Sequence, residues 1–228
     1  MISALIVAAG KGLRMQSELP KQFLLLANQP LICHTLRVFD RCEAIDAMCL
    51  VVAESELAFC RQEILPSAGF EKQITLVAGG AQRYDSVYNG LQAMEADTEI
   101  VVIHDGVRPF VDPDHILACI VGARRVGACI LALPARDTLK RADSANLIVE
   151  TLERETVWLA QTPQAFQFSV IRQAHEFARQ AGCLSTDDAG LVERLGKPVE
   201  IIEGSPLNIK ITSPQDFKLA CAIRSMSD

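Results

Sequence analysis

The chain has 228 residues, half of them apolar and few of them aromatic, and a formal charge of −6. That length suits one α/β unit with an excursion, and the Val, Ile, Leu and Ala content suits a parallel sheet covered by helices on both faces. The negative balance argues against a general nucleic-acid or membrane-surface binder, since both need a broad excess of Lys and Arg.

A short apolar run over 4–7 reads as a buried first strand. It ends in Ala8-Ala9-Gly10-Lys11-Gly12, where the strand must turn sharply and present its backbone N–H groups. Lys11, Arg14 and Lys21 sit within or just beyond this loop, so a multiply charged phosphate would meet backbone and side-chain donors together. The stretch reads as a triphosphate-binding loop. It is not a Walker loop, and the dinucleotide fingerprint fails because Met15 holds the third glycine position. The first acidic residue after the second strand, Glu54, also comes well past the usual distance of about 20 residues.

Pro30 starts a helix over Leu31, Thr35, Val38 and Phe39, and residues 45–52 form the second strand. A helix capped by Ser55 is expected to run to Leu65 and stop at Pro66, before a strand over 73–77. After Gly79-Gly80, helical spacing puts Arg83 and Ser86 one turn apart near a helix start, facing one ligand. The β-branched run over 99–104 is the clearest strand, followed by Asp105 and Arg108 and by a helix capped by Asp112. A further strand over 127–133 closes at Pro134.

The pattern breaks at Arg136. From there to about Thr162 the chain is polar, and the turn candidate over 143–146 suggests a hairpin arm, although 150–155 also fits a short helix. Helices follow through Val170, Ile171, Ala174 and Phe177 and over 186–195, then a strand over 199–202 and a last helix opened by Ser213 and Asp216. Eight cysteines without a C-x-x-C pair, and four histidines apart from them, give neither zinc spacing nor a disulfide framework. The first apolar run is strand-length without a basic flank, and no stretch approaches about 18 apolar residues. No signal peptide or membrane span is expected, and the cytoplasm is the expected compartment.

Alternating strands and helices imply an open sheet that binds ligands at the carboxyl ends of its strands. The charged and glycine-rich stretches fall there: Gly10 to Lys21, Gly79 to Ser86, Asp105 with Arg108, and Asn208 to Lys210. Asp105 is either a turn residue or a ligand for Mg²⁺ or a ribose, because a phosphate-bridging cation takes only one or two protein carboxylates. Arg108 can simply pair with Asp105, and His104 reads as a packing residue at the strand end.

These motifs, with Arg136 to Lys140, Thr162 to Gln164, Thr186 to Ala189 and Asn208 to Thr212, resemble the 2-C-methyl-D-erythritol 4-phosphate cytidylyltransferases over almost the whole chain. Where that family often has two alanines this chain has Gly106 and Val107. The resemblance implies a Rossmann-like nucleotidyltransferase, one unit over 1–228, with a protruding β-arm at about 136–162 that serves dimerisation. It implies transfer of CMP from CTP to a sugar-alcohol phosphate, with Mg²⁺ as cofactor and a homodimer as the assembly. By carry-over, Arg14 and Lys21 are catalytic and hold the triphosphate. Ala8, Ala9, Gly10, Lys11, Gly12, Gly80, Arg83, Ser86 and Asp105 bind the nucleotide, with Asp105 also the metal ligand. Arg108, Thr138, Arg154, Thr162, Thr186 and Lys210 bind the acceptor, Thr138 and Arg154 across the dimer interface. Two alternatives share the loop: a cytidylyltransferase for ribitol 5-phosphate and a non-catalytic nucleotide-binding module.

Overall fold

The computed structural model describes residues 1–10, 19–183 and 185–226. The chain opens with β1 (Ile2–Val7), a 3-10 turn at Lys21–Phe23, the short β2 (Leu25–Leu26) and β3 (Gln29–Pro30), α1 (Leu31–Asp40) and β4 (Ala47–Val52). Next come α2 (Leu57–Phe59), a π turn at Cys60–Ile64, α3 (Leu65–Ala68), β5 (Ile74–Ala78), α4 (Arg83–Gln92), β6 (Ile100–Asp105), α5 (Pro113–Val126) and β7 (Ala128–Pro134). The hairpin β8 (Lys140–Ala142) and β9 (Ile148–Thr151) leads to β10 (Trp158–Gln167), α6 (Phe168–Ala181), α7 (Ala189–Arg194), β11 (Glu200–Glu203) and α8 (Pro214–Met226).

Among the described residues, seven strands make one sheet in the order β11-β7-β10-β6-β1-β4-β5. β1 runs parallel to β4 and β6, β4 to β5, and β11 to β7, while β10 is antiparallel to both neighbours. Side-chain alternation along the central strands divides the core in two. Ala4, Ile6, Leu50 and Val102 face α1 and α5, where Ile32, Leu36, Phe39, Ile116 and Ile120 meet them. Leu5, Val51, Val101 and Ile103 face α4 and α6 through Val87, Leu91, Val170 and Ile171. At about 1.5–3 kcal/mol per buried large aliphatic side chain, these two layers hold the strand ends in fixed relation. A third cluster of Leu26, Leu31, Val107, Ile211 and Ala220 pins the loop after β6 to the entry of α8.

Three expectations are corrected. Ser55 makes no side-chain cap, and Pro66 lies inside α3 rather than ending it; the helix ends at Gly69, with φ 58. The π turn before Pro66 has already shifted the hydrogen-bond register, so the missing proline N–H is tolerated. The helix expected from Thr186 starts at Ala189; Asp188 stands at its N-cap position without a side-chain capping bond, and the preceding Asp187 carboxylate accepts from Gly190 N at 3.1 Å. The polar stretch from Trp158 to Gln167 is a central strand, so the chain re-enters the sheet ahead of Thr162. A register irregularity between Ala160 and Gln164 absorbs Pro163, which a regular central strand excludes.

Candidate active site

β4 and β5 lie to one side of β1 and β6 to the other, so the chain reverses its winding direction at β1 and β6. A crevice opens at such a point outside the carboxyl ends of the strands. A cleft of about 380 Å³ lies there, lined by Ala8, Ala9 and Gly10 after β1, Gly80, Arg83 and Ser86 at the start of α4, Asp105 at the end of β6, and Lys21 and Lys210. Two glycines let its walls close up. A Cβ at Gly80 would run into the Asp85 side chain, and one at Gly106 would lie 2.7 Å from Ile32 Cδ1 and 3.0 Å from Ala8 Cβ. An alanine at position 106 would therefore need Ile32 to shift. Ser86 donates its hydroxyl to Gln82 O and accepts from Gly80 N, each at 3.1 Å, fixing the glycine turn on the helix it precedes.

Asp105 is the electrostatic centre. Its backbone N donates to Thr162 Oγ1 at 3.1 Å, and Lys210 Nζ lies 2.8 Å from Oδ2. Arg83 Nε reaches Oδ1 and Arg108 Nε reaches Oδ2, each at 3.4 Å. Burial pushes the carboxyl up, but Lys210, Arg83 and Arg108 outweigh it and hold the group well below the usual carboxylate range. Asp105 is therefore an anion at any working pH, and it is the one carboxylate among the described lining residues. Its neighbour His104 is fully buried and neutral. Nε2 donates to Arg108 O at 3.0 Å, leaving Nδ1 to accept from Thr162 Oγ1 at 3.1 Å, and burial lowers its pKa to about 4. The expected packing role is thus also a positioning one, since His104 and Thr162 together fix the strand end that carries Asp105.

The predicted residues fall in five places. Ala8, Ala9, Gly10, Lys21, Gly80, Arg83, Ser86, Asp105 and Lys210 line one cleft. Arg108 and Thr162 stand behind it. Arg108 donates from Nη1 to Asn208 O at 2.7 Å and is 9% exposed, while Thr162 is buried against Asp105 and His104. Thr138 and Arg154 lie on the arm, where Arg154 bonds Arg136 O and Glu155, and Thr186 lines a separate shallow depression with Asp187 and Arg194. Lys11, Gly12 and Arg14 lie outside the described residues.

Asp188, His175 and Gln161 were not anticipated. Asp188 is buried and accepts from Arg83 Nη1 at 2.7 Å, and His175 Nε2 lies 3.3 Å from its other oxygen. Gln161 and Asn208 form a buried amide pair; Asn208 Nδ2 donates to Thr162 O at 2.8 Å and its carbonyl holds Arg108. Asn208 lies two residues before Lys210 in the stretch expected at a strand end, but its polarity alone gives no sign of its burial.

A mostly parallel sheet whose switch point gathers glycine turns, several cations and one buried carboxylate that those cations hold ionised has the make-up of an α/β enzyme acting on a phosphorylated nucleotide. The model of one family, described as IspD: 2-C-methyl-D-erythritol 4-phosphate cytidylyltransferase, matches residues 2–225. A relative so named from Pelotomaculum thermopropionicum is 46% identical over 97% of this chain and 93% of its own length. Another from Geobacillus kaustophilus is 48% identical over 96% and 95%. The crystal structure of 4-diphosphocytidyl-2C-methyl-D-erythritol synthase from Anaerococcus prevotii matches with a TM-score of 0.87 at 32% identity, covering 98% of each chain. The chain belongs to the 2-C-methyl-D-erythritol 4-phosphate cytidylyltransferase family and is a nucleotidyltransferase.

Proposed function

We propose that this cleft is where the chain, as a member of that family, transfers CMP from CTP to 2-C-methyl-D-erythritol 4-phosphate, giving 4-diphosphocytidyl-2-C-methyl-D-erythritol and pyrophosphate. The observation that carries the assignment is the convergence of Gly10, Gly80, Lys21, Arg83 and Lys210 around Asp105 at the switch point. Its size falls within the range of small-ligand sites, and its described cations outnumber its carboxylates although the whole chain is acidic.

The acceptor's phosphate attacks the α-phosphorus of CTP; a new P–O bond forms as the bond to the β-phosphate oxygen breaks, and the electron pair leaves with pyrophosphate. A phosphate monoester with a second pKa of about 6 is already largely dianionic, so no general base is required. The work is positioning and cancellation of charge. Lys21, with Arg14, neutralises the triphosphate, the backbone at Gly10 and Gly80 and the Ser86 turn frame the nucleoside, and Lys210 neutralises the acceptor phosphate. Arg108 and Thr162 act from behind, holding Asp105 and the Asn208 carbonyl in place.

Mg²⁺ belongs to this reading. A cation that accompanies phosphates takes only one or two protein carboxylates. Asp105 is the carboxylate that would hold it, and its permanent charge fits a hard cation. When bound, the ion would offset charge on the phosphoryl oxygens. A homodimer also belongs here. Leu147, Ile148 and Val149 on the arm are 65%, 66% and 53% exposed, an apolar strip suited to a second copy, and that packing would bring Thr138 and Arg154 to the partner's cleft. The eight free cysteines fit the reducing cytoplasm.

Pyrophosphate release tests the assignment: it is expected with CTP plus 2-C-methyl-D-erythritol 4-phosphate. Release only with ribitol 5-phosphate would move the chain to the sibling activity, and no release with either acceptor would favour a binding module.

A further inference from the structure

We infer that Asp188, steadied by His175, is the positioning residue that presents Arg83 to the nucleotide and ties the Thr186 to Asp188 stretch to the glycine turn before α4. Arg83 is the first residue of α4, and its guanidinium is stretched between two carboxylates on different elements. Nε meets Asp105 Oδ1 at 3.4 Å and Nη1 meets Asp188 Oδ2 at 2.7 Å. The shorter contact goes to Asp188, whose side chain is 1% exposed against 27% for Arg83. Arg83 lines the cleft, and these two contacts engage Nε and Nη1, so Nη2 is the nitrogen we assign to a ligand there.

Asp188 is itself held on several sides. Its carbonyl accepts from Leu191 N at 3.2 Å, and Oδ1 lies 3.3 Å from His175 Nε2 on α6. The preceding Asp187 accepts from Gln164 Nε2 of β10 at 2.8 Å, and Ala189 N donates to Gln164 Oε1 at 3.2 Å. The anchor is therefore part of the rigid sheet and helix layer, while the arginine it holds reaches into the cleft. Without Asp188 the one carboxylate left to Arg83 among the described residues is Asp105, and the guanidinium would settle there, drawing it off the nucleotide and competing with Lys210. A shift of about 1 Å in such a group costs on the order of 100-fold in rate. Asp188 also belongs to the stretch that carries Thr186, so one buried contact links the nucleotide turn to the segment proposed for the acceptor.

This inference rests on the proposed site, and a double-mutant cycle separates the two. R83Q alone reads the site, and is expected to lower kcat/KM for CTP by about 100-fold. D188N is expected to lower it by about 10-fold or more, chiefly through KM for CTP, and to lower the melting temperature as well, because it strips the Arg83 guanidinium of a buried charge partner. The double variant should lie within about threefold of R83Q, because Asp188 acts through Arg83. A D188N enzyme within about twofold of the parent beside an impaired R83Q, or losses that multiply in the double variant, would overturn the positioning role and leave the site intact. A near-normal R83Q would overturn both. If D188N does not fold, H175Q serves in the same cycle. It keeps the Asp188 charge but loosens its hold, and the same non-additivity is expected; multiplied losses would again contradict it.

Discussion

Asp105 sets the electrostatics of the site because three cations and two elements converge on one buried carboxylate. D105N should cost about 3 kcal/mol or more in urea unfolding, since it leaves buried guanidinium groups uncompensated, and should abolish turnover. K21A and R14A should lose turnover by orders of magnitude with unchanged circular dichroism, because both are proposed to act on the triphosphate rather than on the core. His104 gives a pH dependence. Its folded pKa of about 4 lies below the usual 6.5, so between these values the unfolded chain binds the proton that the folded chain refuses. Stability is thus complete above about 6.5 and falls as pH drops toward 4, by roughly 3 kcal/mol. The melting temperature of H104N should be flatter across that window. Asp105 adds nothing there: its contribution, full above the ordinary carboxylate range, is lost only at lower pH. Arg83, Ser86, Asp105 and Lys210 were legible in the sequence because each follows a strand beside a glycine or another charge. Asp188 was not, because an aspartate before a helix reads as a cap, and its contact with Arg83 spans 105 positions.

At the level of elements, β1, β4, β5 and β6 were readable as continuous apolar runs, and the glycine turns after β1 and β5 followed from them. β10 was not readable. Gln161, Thr162, Pro163 and Gln164 break every strand signal, yet they occupy the middle of the sheet because their side chains bond to Ser205 O, His104 and Asp187. The polar strand is the scaffold of the site, so its composition answers to side-chain partners rather than to packing. The arm shows the opposite case: its hairpin was legible from the turn over 143–146, while its purpose rests on a surface that one chain leaves open. On the proposed homodimer, I148E with V149E should give monomers in sedimentation velocity where the parent gives dimers, and reduce turnover by at least about 10-fold, since the proposed reach of Thr138 and Arg154 into a partner's cleft would be lost.

For the molecule as a whole, two apolar layers hold the sheet, and the strand ends at its switch point carry the chemistry. The Val107, Ile211 and Ala220 cluster then brings Lys210 back to Asp105 from the far end of the chain. The chain carries a net charge of −6, yet the described lining of the cleft sets Lys21, Arg83 and Lys210 against the one carboxylate of Asp105, a local balance that favours anionic ligands there. The most direct test is pyrophosphate release from CTP with 2-C-methyl-D-erythritol 4-phosphate or ribitol 5-phosphate as acceptor, measured for the parent chain and for K210M. Rapid release with the first acceptor, little with the second, and a loss of about 100-fold in K210M carried mainly by the acceptor's kcat/KM are predicted. Equal rates with both acceptors, or K210M acting like the parent, would contradict a site in which the cleft around Asp105 joins CTP to methylerythritol phosphate.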